Sequence, residues 1–92
     1  MNDLIYAYCT DTLKLAHNAM VAQLIGKDAK IEIANLVSAC KYLEALLGEF
    51  GLNEKIVEKD DIDQIEKKDL EAIYRKIAKI MKICYEARSV KA

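Results

Sequence analysis

The chain has 92 residues, a net charge of −1 and 53% hydrophobic residues, with no Pro and only three Gly. That is one domain with a modest core, and so few chain-breaking residues favour long helices over sheets. The near-neutral balance argues against a general polyanion binder, and every apolar run is interrupted by charge well short of the roughly 18 residues that a membrane-spanning helix needs. Cys9, Cys40 and Cys84 are odd in number and far apart, the pattern of reduced thiols in a cytoplasmic protein. Met1-Asn2-Asp3 offers no basic leader segment, so no signal peptide is expected.

The first helix is expected over residues 4–25, capped by Asn2 or Asp3. Leu4, Ile5, Tyr8, Cys9, Leu13, Leu15, Ala16, Ala19, Met20 and Leu24 cover an arc of about 200°. Gly26 supplies a left-handed C′ position and Asp28 can cap the next helix. With only Lys27 between them, helices one and two must fold as an antiparallel hairpin.

The second helix is expected over residues 29–50. Ala29, Ile33, Leu36, Cys40, Leu43, Leu47 and Phe50 follow one another at spacings of 4, 3, 4, 3, 4 and 3, a narrow seam for a neighbouring helix. Ile31, Ala39, Tyr42 and Leu46 form a second row about 80–120° away, which places helix two between other helices. Gly51 is the expected C′ residue, with Leu52 folding back on Leu47.

Residues 51–61 read as an acidic connector, in which Asn53 could cap a single turn around Ile56 and Val57. Asp61 and Gln64 have the form of a capping box, which opens the third helix over residues 62–88. Ile62, Ile65, Leu70, Ile73, Ile77, Ile80, Cys84 and Ala87 mark its buried face. The predicted fold is an all-α antiparallel three-helix bundle: a long hairpin plus a longer C-terminal helix that overhangs it by about a turn. Two apolar rows on helix two and a 200° arc on helix one exceed what one small bundle hides, so association as a helical homodimer is expected, through Tyr6, Ile31, Tyr42 and Leu46.

Charge is divided along the chain. Residues 44–66 carry eight acids, Asp60 among them, against Lys55 and Lys59, whereas residues 67–92 carry eight cations, Arg88 among them, against Asp69, Glu71 and Glu86. Lys68, Arg75, Lys79 and Lys82 share the helix-three face opposite the apolar stripe, with Tyr85 and Val90 near its end. That face suits an acidic protein surface. Nucleic acid is the alternative, weakened by Glu86 on the same face and by the absence of base-reading side chains.

Chemistry is poorly supported. Cys9 and His17 stand about 12 Å apart along one helix, too far to converge on one zinc ion, and no other metal or cofactor motif is present. In an up-down-up bundle Cys84 would lie at the opposite end from Cys9. Asp60-Asp61-Ile62-Asp63 lacks the central glycine of a calcium loop, and the position for its bidentate acid is Ala72. His17 could serve as a phospho-accepting residue on a helical bundle, but the lysine and glycine that follow such a histidine are here Met20 and Val21. No nucleophile–base pair or glycine-rich phosphate loop occurs. The sequence therefore reads as a non-catalytic helical interaction module acting by occupancy, as an adaptor, accessory subunit or stoichiometric inhibitor. Nucleic-acid binding and a His17 phosphotransfer role are the alternatives.

Overall fold

The computed structural model describes the backbone of residues 2–59 and 61–91 and the side chains of residues 3–59 and 61–86. Expectations resting on Asp60, or on the side chains of Asn2, Ala87, Arg88 and Val90, lie outside those residues. Three helices form: α1 (Asn2–Leu24), α2 (Lys30–Glu49) and α3 (Lys67–Lys91), with a 3-10 turn at Ile62–Gln64.

Both helix ends marked by glycine close as expected. Gly26 sits at φ 77° and Gly51 at φ 81°, where a side chain would be strained. The Lys27 N–H donates to the Ala22 carbonyl at 2.9 Å, and the Leu52 N–H to the Leu47 carbonyl at 2.9 Å. Each bond uses a carbonyl that the helix leaves over, the Schellman ending. Asp28 accepts the Lys30 N–H at 3.1 Å, but the cap of α2 falls one residue later than expected, on Ala29, whose carbonyl takes the Ile33 N–H at 2.8 Å.

α3 starts later than the capping-box reading placed it. Asp61 accepts the Asp63 N–H at 3.0 Å, but this closes only the 3-10 turn, and Ile65 returns to extended backbone. A second set of partners does start the helix. Asp69 accepts the Glu66 N–H at 2.8 Å, while the Leu70 N–H donates back to the Glu66 carbonyl at 3.1 Å. Lys59 reaches the same Asp69 oxygen at 3.0 Å. The Glu66 amide and then Lys59 hold the Asp69 carboxyl below its ordinary range.

Between α2 and α3 the connector is an extended strap, without the helical turn expected around Ile56 and Val57. Adjacent residues of an extended chain point to opposite sides, yet Ile56 is 1% exposed and Val57 4%. Burial of both means that the strap is sandwiched. On the α2 side, Glu44 Oε2 accepts the N–H groups of Ile56 at 2.6 Å and Val57 at 3.1 Å. On the α3 side, the Lys76 ammonium donates to the Lys55 carbonyl and to Glu58, each at 3.4 Å. Further on, Asp63 comes within 3.7 Å of Lys30, at the start of α2.

The strap therefore runs back along the length of α2 and delivers the chain to its beginning. α3 then runs in the same direction as α2 and antiparallel to α1. Its Cys84 lies beside Cys9, close enough for the two thiols to influence each other, and not at the far end of the bundle. In that register α3 packs along α1.

The molecule is thus an all-helical three-helix bundle, 45 × 22 × 17 Å, with a helical hairpin and a longer third helix. Its central element is α1, not α2. α1 packs against both other helices, whereas among the described residues no Cα of α2 lies within 8 Å of one in α3. Most of the seam on α2 is where the sequence placed it: Ala29, Ile33, Leu36, Cys40, Leu43 and Leu47 are buried, whereas Phe50, just past the end of the helix, is only half-buried. Ile5, Cys9, Ala16 and Ala19 of α1 and Leu70, Ile73, Ile77 and Ile80 of α3 complete the core. Thr12, buried among them, donates its hydroxyl to the Tyr8 carbonyl at 2.7 Å.

Candidate interaction surface

The predicted cations of α3 are exposed, but they are not equivalent. Lys68 is in the first turn and lies 3.6 Å from Glu66. Arg75 bonds its own helix, with Nε donating to the Glu71 carbonyl at 3.3 Å and the guanidinium 4.0 Å from the Glu71 carboxylate. Lys79 and Lys82 are exposed, and among the described residues no carboxylate pairs with either. Helical spacing gathers Arg75, Lys79 and Lys82 into one strip and leaves Lys68 about 10 Å further back along the axis. Tyr85, 60% exposed, stands at the far end of that strip. Lys76, absent from the sequence-based set, is the cation that meets the acidic connector.

The predicted self-association row does not stay together. Ile31 and Tyr42 are 74% and 56% exposed, but Leu46 is 8% exposed and belongs to the core. The rings of Tyr8 and Tyr42 lie 5.1 Å apart across the hairpin. Leu46, one turn past Tyr42, turns into the core cluster instead. Tyr6 is half-buried and packs on the core from a different side of α1. The Tyr8 hydroxyl points to that of Tyr42 at 3.5 Å, and this contact raises the Tyr8 pKa above its ordinary value.

A second surface escaped the sequence reading. α1 has Leu13, His17, Met20 and Leu24 at spacings of 4, 3 and 4, and α3 has Tyr74, Ala78, Met81 and Tyr85 at the same spacings. Each set is a single stripe at the edge of its helix's buried face. Tyr74 shares a surface hollow with Thr10, Leu13, Lys14, His17 and Asn18, so the two stripes come together there on the α1–α3 seam. Leu13, Met20, Tyr74 and Met81 are half-buried against the core, and Leu24 and Tyr85 are mostly exposed. The stripes were hidden in the sequence because the α1 members merge into its 200° apolar arc. Only the direction of α3 shows which residues become the flank of a helix pair.

The thiols are unsuited to nucleophilic work. All three are free and buried, and burial pushes Cys9 and Cys40 up to about 12 and raises Cys84. Among the described residues no group of His, Cys, Asp and Glu has the arrangement of a metal site. His17 is exposed in the hollow beside Tyr74, and none of the residues lining that hollow is acidic. No described helix is long and apolar enough to cross a membrane. Comparison with known proteins adds no relative: no family model, curated protein or solved structure matches the chain.

Proposed function

We propose that this chain is a non-catalytic protein–protein interaction module that acts by occupying a surface of a larger partner, as an adaptor, accessory subunit or inhibitor. The observation that supports it most is the α3 strip, where Lys79 and Lys82 have no carboxylate partner among the described residues and stand beside exposed Ile83 and Tyr85. Unpaired cations next to apolar side chains suit an acidic protein surface, which supplies both charge and contact area. A nucleic acid fits less well, because Glu71 and Glu86 interrupt the strip and would face phosphates. Self-association belongs to the same reading and falls to the α1–α2 side, where Tyr42 and Ile31 are exposed.

The test is Arg75, Lys79 and Lys82 replaced together by Glu. The variant remains helical and loses partner association chiefly in on-rate, most visibly at low salt. Unchanged association at low salt contradicts the proposal. Retention of RNA or DNA by the native chain, weakening steeply with salt, assigns the strip to nucleic acid instead. Light scattering after gel filtration reads the self-association directly, and a monomer near 10 kDa at high concentration removes it from the proposal.

A further inference from the structure

Two helices packed side by side leave a groove on each flank of their seam. In this chain the inner flank of α3 is filled by the strap, with Ile56 and Val57 inserted and Glu44, Lys59 and Lys76 holding it in place. The outer flank, along the seam with α1, has no such segment among the described residues. It is nevertheless built like a surface meant for a helix. Leu13, Met20 and Leu24 on one wall and Tyr74, Met81 and Tyr85 on the other each repeat at heptad spacing over about 16 Å. With Cys84 beside Cys9 the two antiparallel stripes are staggered, facing each other between Leu13 and Met20 and between Tyr74 and Met81, with Leu24 and Tyr85 extending the groove at opposite ends. Tyrosine, methionine and leucine are adaptable, area-rich contact residues.

The rim of this groove has a sign. On the α3 side Lys67, Arg75, Lys79 and Lys82 outnumber Glu71 and Glu86, and Lys14 borders the α1 side. We infer that the α1–α3 flank is a helix-docking groove whose occupant is an acidic amphipathic helix of a partner protein, a proposal that rests on the interaction-module reading above. Apolar residues of such a helix would fill the heptad stripes, and its flanking carboxylates would meet Lys79 and Lys82, which have no carboxylate partner among the described residues. A second copy is the wrong occupant. Two-fold pairing of this flank sets the cationic strips of both copies against each other, and like charges across an interface are strongly unfavourable.

The experiment uses the full chain and two labelled helical peptides of about four turns. Both carry Leu at the two core positions of each heptad, and one has Glu at the flanking positions where the other has Lys. Fluorescence anisotropy measures each titration at low and at high salt. The expected result is that the Glu peptide binds at least about tenfold more tightly than the Lys peptide, with a preference that shrinks as salt rises. Leu24→Glu and Tyr85→Glu alter exposed positions, so the fold survives, as circular dichroism checks, and each should weaken the Glu peptide several-fold. Amide shifts on addition of the Glu peptide should map to residues 13–24 and 74–85.

Equal binding of the two peptides, no binding of the Glu peptide, or shifts centred on Tyr8 and Tyr42 would overturn the groove. A natural partner released by the Arg75, Lys79 and Lys82 charge reversal but retained by both Leu24→Glu and Tyr85→Glu would reject the groove while leaving the interaction module standing. A partner indifferent to all of these changes would reject both.

Discussion

The two flanks of α3 are made of similar residues and meet different fates. On the inner flank Ile73 is buried beneath Ile56 and Val57, and Lys76 finds Glu58. On the outer flank Tyr74 and Met81 stop at half burial, and Lys79 and Lys82 find no carboxylate among the described residues. The difference lies in what covers them. A bare strap backbone between two helices leaves N–H groups that must be satisfied, and Glu44 spends one carboxylate oxygen on two of them. The chain thus closes one flank of its third helix at the cost of a dedicated side chain and leaves the other open.

The sharpest way to break this comparison is to truncate one residue on each flank. Ile56→Ala removes a fully buried side chain and should cost about 2–5 kcal/mol, as should Leu43→Ala in the α2 seam. Met81→Ala on the open flank should cost well under that, on the order of 1 kcal/mol. Urea melts check all three, and equal losses at Ile56 and Met81 would mean that both flanks are covered. Next in size is Glu44→Ala, which leaves the Ile56 and Val57 N–H groups without their acceptor. It should cost about 1–3 kcal/mol, with partial recovery in Glu44→Gln, which keeps an oxygen there. Trypsin should then cut faster at Lys55 and Lys59, because the strap opens before the bundle does.

The core gives a pH-dependent counterpart. Cys9 and Cys40 move up to about 12 from an ordinary 9.0 when buried, so above pH 9 the unfolded chain releases thiol protons that the folded chain keeps. The unfolded state then binds fewer protons, and stability falls as pH rises above about 9 while remaining unaffected by these groups below it. A disulfide-exchange reagent should react slowly with the native thiols and quickly in urea. The smallest effect belongs to the open flank: replacing Arg75, Lys79 and Lys82 by Glu should shift the urea midpoint little, since exposed charges contribute under about 1 kcal/mol each.

Much of the scaffold was legible because local chemistry decides it. The spacing of Ala29, Ile33, Leu36, Cys40, Leu43 and Leu47 forces one buried face, and Gly26 and Gly51 sit at the only conformations that end those helices so tightly. The strap was not legible. Ile56 and Val57 are neighbours, a pair with no period, and their burial depends on two surfaces remote in sequence. That strap also sets the direction of α3, so the pairing of Cys9 with Cys84, the central place of α1 and the open flank all follow from it. Asp61 and Gln64 misled for a local reason, since Glu66 and Asp69 offered a competing start five residues later with Lys59 in support. The cationic strip was visible at helical spacing, but its division into Arg75, paired with Glu71, and Lys79 and Lys82, unpaired among the described residues, required the positions of neighbouring acids.

The difference between the two flanks can be measured in the free protein with a soluble paramagnetic probe and methyl-labelled chain. Met20 and Met81 should broaden strongly on the open flank, while Ile56 and Ile73 stay sharp beneath the strap. Equal protection of Met81 and Ile56 would show that the outer flank is already covered, and would contradict an open groove awaiting a partner helix.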